Sequence, residues 1–135
     1  MFLNGKSACS NKKLKIPSPQ TGKALLDTGA NTTRIDLGAI ARLQLPFWKT
    51  DTILTVQGPT QERWYKGVMI EFPRAKLPPV RLDVVGAVNG LDADGLIAVF
   101  GRDVLSHFVF TYDGITGTLK LSAPDSAQDA RLRAV

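Results

Sequence analysis

The chain has one cysteine, Cys9, and one histidine, His107. A lone thiol cannot close an internal disulfide, and one thiol with one imidazole cannot supply the usual zinc ligand sets. No apolar run approaches the roughly 20 residues needed to cross a bilayer, and the opening Met1-Phe2-Leu3-Asn4-Gly5-Lys6 lacks the apolar stretch of a secretory signal. The expectation is no membrane partner and a cytoplasmic location. No Gly-x-Ser-x-Gly elbow is present to work with His107, so a serine triad has no support. Asp92-Ala93-Asp94-Gly95 lacks the further oxygen ligands and closing glutamate of a calcium loop and reads as a turn. We therefore expect no metal and no cofactor.

Aromatic residues are few, and they do not interleave with the basic ones as on a stacking platform for single strands. The net charge of +5 is also dispersed: Lys6, Lys12, Lys13 and Lys15 form the dense group, and Arg131 and Arg133 lie near the end. A solvated surface is the simpler explanation, which disfavours nucleic acid as a partner.

What the 135 residues do contain is enough apolar sequence for a single modest core. Residues 1–13 are polar and without period, an arm or an edge strand. Residues 14–121 carry the domain, and residues 122–135 read as a flexible tail without an apolar stripe. Leu14 and Ile16 predict a short strand that turns at Pro17-Ser18-Pro19-Gln20-Thr21-Gly22 and returns as a buried strand over Lys23 to Asp27. Leu37, Ile40, Ala41 and Leu43 fall at helical spacing behind a capping Asp36. Strands follow over residues 52–57 and 62–72, with a turn at Gly58-Pro59-Thr60-Gln61, then over 80–85 and 96–100. A short helix over Asp103 to His107 turns Val104 and Phe108 inward, and a last hairpin spans residues 108–121 around Asp113-Gly114. The class is mainly β with one or two short helices.

Two segments stand out. Ala24-Leu25-Leu26-Asp27-Thr28-Gly29-Ala30-Asn31 brings a carboxylate to the end of a strand and then turns sharply at a glycine. Far downstream, Val99-Phe100-Gly101-Arg102-Asp103 puts two apolar residues and a glycine ahead of an arginine and an acid. In this order and separation the two segments resemble the retropepsin-like, retroviral-type aspartic protease family.

The resemblance implies a closed acid-protease-like β-barrel with a flap hairpin, formed here by the ribbon around Gly58, Pro59 and Thr60. It implies an aspartic endopeptidase acting on polypeptide, with Asp27, Thr28 and Gly29 catalytic and with Ala30, Gly58, Pro59 and Thr60 lining the substrate site. One Asp-Thr-Gly per chain implies a homodimer in which two Asp27 carboxylates meet across a two-fold axis. Thr28, Asn31 and Arg102 would support the loop and the dimer. Asn31 stands where the family commonly has an acid facing that arginine, and Pro59 has no N–H to offer a substrate. Both departures fit an alternative, a non-catalytic module of the same fold that binds peptides or dimerises.

Overall fold

The computed structural model describes residues 2–5, 15–88, 91 and 95–124. Its elements are β1 (Phe2–Gly5), β2 (Gln20–Thr21), β3 (Lys23–Leu26), β4 (Arg34–Asp36), α1 (Leu37–Arg42), β5 (Phe47–Thr55) and β6 (Gly58–Glu71). They continue with β7 (Val80–Ala87), β8 (Leu96–Phe100), α2 (Arg102–Leu105), β9 (Val109–Asp113) and β10 (Thr118–Ser122). The fold is mainly β with two short helices, as the alternating apolar pattern predicts. The remainder of the N-terminal arm with Cys9 and its lysines, the Asp92–Asp94 turn and the tail beyond residue 124 lie outside the described residues.

Eight strands form one sheet in the order β2-β1-β6-β7-β4-β8-β3, with β5 also on β6, while β9 and β10 form a separate ribbon. The expected closed barrel is not what this pairing shows. Among the described residues the path is open, with β2 and β3 at its ends and no ladder joining them. The long β6 organises the sheet: β5 pairs with its first half, β1 with its second, and β7 runs along the other edge.

Four local expectations need correction. Residues 15–19 form no strand, since Pro17 and Pro19 cannot donate to a ladder; β2 pairs with β1, and β3 pairs with β8 in parallel. The run Ala24-Leu25-Leu26 is consequently an edge strand and not a buried one, and Leu25 is 50% exposed.

The hairpin turn lies at Val56-Gln57 and not at residues 58–61. Thr55 pairs with Gly58, and Pro59 faces Leu54. Gly58 sets this position by taking φ +108°, a conformation that L residues avoid. The Thr55 hydroxyl donates to the Gly58 carbonyl at 2.8 Å and accepts from the Gln57 N–H at 3.2 Å. Pro59 is tolerated because this part of β6 has β5 on one side and no ladder on the other.

Finally, β7 continues to Ala87 instead of giving way to a loop at Gly86, because Arg34–Asp36 pair with Val85–Ala87.

The core gathers Ile35, Ile40, Leu43, Val68, Ile70, Val84, Phe100 and Val104, and Phe72 meets Phe100 and Phe108 edge-on at 6.1 and 5.4 Å. Asp36 caps α1 as the sequence predicts, accepting the Ala39 N–H at 3.0 Å. No helix among the described residues is long and apolar enough to cross a membrane.

The β9–β10 turn carries a pH-dependent feature. Asp113 accepts from the N–H groups of Ile115 and Thr116, and its hydrogen bonding, chiefly with Thr116, holds its pKa below the ordinary Asp value. A lowered pKa stabilises the turn above the ordinary value and loses that contribution as pH falls through the folded one. The amide resonances of Ile115 and Thr116 are expected to shift together on acidification, with a midpoint below that of an unstructured Asp. A midpoint at or above that of the free residue would contradict the assignment.

Candidate active site

The loop from Asp27 to Thr33 leaves β3 on one side of β8 and returns as β4 on the other. Leu25 and Leu26 run parallel to Val99 and Phe100, whereas Arg34 and Ile35 run antiparallel to Val99 and Ala98. The end of β8 therefore passes through the fork of the loop. The Asp27 N–H donates to the Phe100 carbonyl at 2.9 Å, the Arg102 N–H to the Ala30 carbonyl at 2.9 Å, and the Asp103 N–H to the Asn31 carbonyl at 3.3 Å. At the crossing stands Gly101, where a Cβ would lie 2.8 Å from the Thr32 carbonyl carbon and 2.9 Å from its nitrogen and oxygen. Only a residue without a side chain lets the two backbones come this close.

Two side chains complete the clamp. Arg102 Nη1 donates to the Thr28 carbonyl at 2.8 Å, and Nη2 donates to Asn31 Oδ1. Arg102 and Asn31 are thus brought together, through a contact with one charged member instead of two.

The second side chain is Asp103, the acid that closes the Val99-Phe100-Gly101-Arg102-Asp103 segment and opens the expected short helix, with no side-chain role assigned from sequence. Its carboxylate accepts from the Thr33 N–H at 2.8 Å, the Thr33 hydroxyl at 2.6 Å and its neighbour Val104's N–H at 2.8 Å. Thr33 is fully buried and its hydroxyl oxygen also accepts the Gly101 N–H at 3.1 Å. Asp103→Ala strands the N–H and hydroxyl of a buried residue, and the expected loss is about 3 kcal/mol in urea unfolding. A change within about 0.5 kcal/mol would show that the clamp is not held this way.

Asp27 sits at the mouth of this braced loop, half-buried, with Oδ1 accepting the Gly29 N–H at 2.9 Å. It takes no part in the Arg34–Glu62 or Lys49–Asp51 ion pairs. Thr28 and Gly29 are exposed beside it, and Ala30 is half-buried. Each chain therefore presents one carboxylate with an oxygen to spare. Gly58, Pro59 and Thr60 lie on the first residues of β6, just past the hairpin tip, and no hydrogen bond among the described residues ties them to the Asp27 loop. At the tip, Leu54 and Val56 are 85% and 106% exposed.

The strand register also defines the face on which Asp27 lies. Residues directly opposite in a ladder point to the same side of a sheet. Leu25, Val99, Arg34, Val85, Trp64 and Lys49 are opposed in turn across six strands. Asp27, two residues beyond Leu25, and Glu62, two residues before Trp64, share that side. Arg34 reaches across β7 to form an ion pair with Glu62. The Trp64 indole N–H is covered and has no hydrogen-bond partner among the described residues.

A hollow of about 610 Å³ lined by Thr21, Gly22, Lys23, Phe72, Pro73 and Arg74 lies at the opposite end of β3 and shares none of the loop residues. Among the described residues no group of three or more His, Cys, Asp or Glu side chains could hold a metal ion.

Comparison with known protein families finds no match, and neither does comparison with curated proteins. Among solved structures, the chain is similar to the EIAV protease complexed with the inhibitor HBY-793. Identity is 19% and the TM-score 0.45, over 72% of this chain and 92% of that one. Superposition at that level is too loose to define a shared fold, so the geometry of the loop stands on its own.

Proposed function

We propose that the chain is a homodimeric aspartic endopeptidase of the retropepsin-like kind, hydrolysing peptide bonds with a water held between the Asp27 carboxylates of two copies. The observation that carries this reading is a single accessible carboxylate on a loop locked to β8 through Gly101, Arg102 and Asp103.

Hydrolysis needs a base to take a proton from the water and an acid to protonate the scissile carbonyl oxygen. Two carboxyl groups facing each other meet both needs. Their charges cannot comfortably coexist at contact distance, so the pair retains one proton over a range of pH; aspartic proteases are the standard example. One chain supplies half of that pair, and a two-fold axis supplies the rest.

In such a dimer the exposed Thr28 would hydrogen-bond across the axis, while Gly29 and the small Ala30 would leave room for water and substrate. The β5–β6 hairpin would act as the flap, with Gly58, Pro59 and Thr60 along its inner arm and with Leu54 and Val56 giving its tip an apolar surface. Pro59 lies beyond the tip, so the turn itself keeps its N–H groups.

The neutral Asn31 opposite Arg102 favours a second reading, a peptide-binding or dimerisation module without catalysis, because a weaker brace would leave the carboxylates less closely held. Cleavage of an unstructured protein at mildly acid pH, compared between the chain and Asp27→Asn, separates the two. Hydrolysis lost in the variant supports the endopeptidase; its absence from both supports the module.

A further inference from the structure

Glu62 is the one charged residue among the buried described residues, at 6% exposure, and it lies on the hairpin arm facing the same side of the sheet as Asp27. A buried carboxylate with no partner is strongly disfavoured, so its ion pair with Arg34 fixes where the Arg34 guanidinium sits. Arg34 directly follows the buried Thr33 that Asp103 clamps, so its backbone is held to the same frame as Asp27. Its side chain remains 39% exposed, and a guanidinium has five N–H donors, of which the Glu62 contact uses one. The other acids on this face of the described sheet are occupied: Asp36 caps α1, Asp51 pairs with Lys49 at 2.6 Å, Asp83 accepts the Gly67 N–H at 3.0 Å, and Glu71 also has a partner.

β3 and β4 flank β8, so Arg34 stands two ladder spacings, about 10 Å, from the Leu25 end of the row. In an extended peptide, side chains on one face repeat about every 7 Å. A chain lying over Asp27 would therefore bring a side chain one or two residues from the scissile bond within reach of Arg34.

Resting on the endopeptidase reading, we infer that Arg34, oriented by Glu62, makes the site selective for substrates with an acidic side chain within two residues of the cleaved bond. A carboxylate is the group that matches the planar fork of donors still available. In a symmetric dimer the preference appears on both sides of the scissile bond, because each copy contributes one Arg34.

Cleavage-site mapping by mass spectrometry on a degenerate peptide library tests this directly. The expected result is enrichment of Asp and Glu at one position within two residues on each side of the bond. For a matched pair of peptides differing by Glu against Leu at that position, Arg34→Met/Glu62→Leu is expected to reduce the Glu-over-Leu ratio of kcat/KM by about tenfold or more. The double substitution removes both charges together, which avoids leaving Glu62 buried alone. Arg34→Lys keeps a cation for Glu62 but lacks the second edge of the fork, and is expected to lower the same ratio severalfold while the Leu peptide is still cleaved. Cleavage without acidic enrichment, or enrichment that survives both variants, overturns this inference alone. Absence of cleavage of any peptide by the unsubstituted chain overturns it together with the proposed activity.

Discussion

Asp27→Asn is expected to abolish peptide hydrolysis while leaving the fold intact. The amide is nearly isosteric and keeps an oxygen to accept the Gly29 N–H, so the loop retains its bonds to Phe100, Arg102 and Asp103. What disappears is proton transfer, because an amide can neither remove a proton from water nor return one to the leaving group. Acid–base catalysis by a positioned side chain commonly contributes about 10²–10⁴-fold. Since the substitution removes both members of the pair at once, kcat/KM should fall by about 10³-fold or more. The urea midpoint should move little. Retained cleavage in a variant free of unsubstituted chain would end the case for Asp27.

Gly101→Ala is expected to have the largest effect on stability. Its backbone angles, φ −87° and ψ −174°, are open to any residue, so conformational strain is not the issue. The obstacle is contact: the added methyl would sit 2.8–2.9 Å from three Thr32 backbone atoms, and backbone cannot rotate aside as a side chain could. Relief requires the loop to lift from β8, which stretches the bonds made by Asp27, Arg102 and the Gly101 N–H itself. The expected cost is about 3 kcal/mol or more, in the range of severe overpacking. Any residual protein should also be a poor enzyme, since Asp27 moves with the loop. Near-normal stability in urea, with normal activity, would show that the crossing is looser than described.

The parts of this arrangement that depend on short-range pattern were legible in the sequence. Asp36 ahead of a helical apolar spacing predicted the cap and α1, and Val104 and Phe108 turn inward as expected. The two segments around Asp27 and Gly101 were recognisable as belonging together, and the structure brings their backbones into contact through Asp27, Ala30 and Arg102.

What was missed depends on partners remote in the chain or on dihedral sign. Thr33 and Asp103 are separated by 70 positions, and nothing local to either announces their bond. Arg34 and Glu62 are 28 apart, and nothing local to Glu62, the first residue of the expected 62–72 strand, announces their contact. Gly58-Pro59 is a strong turn signal, but the positive φ of Gly58 makes it the end of the turn and not its centre. The apolar run before Asp27 suggested burial, whereas burial depends on how many strands flank it, and among the described residues β3 has one.

The claim that two copies of Asp27 are needed together is tested most directly by mixing. Unsubstituted chain at fixed concentration is equilibrated with increasing Asp27→Asn chain, and cleavage of a reporter peptide is followed. If each active unit needs a carboxylate from both partners, random pairing with a ninefold excess of the variant leaves about one-tenth of the original activity. Activity that does not change as the variant is added would mean that one chain acts alone, and the account of the site would be wrong.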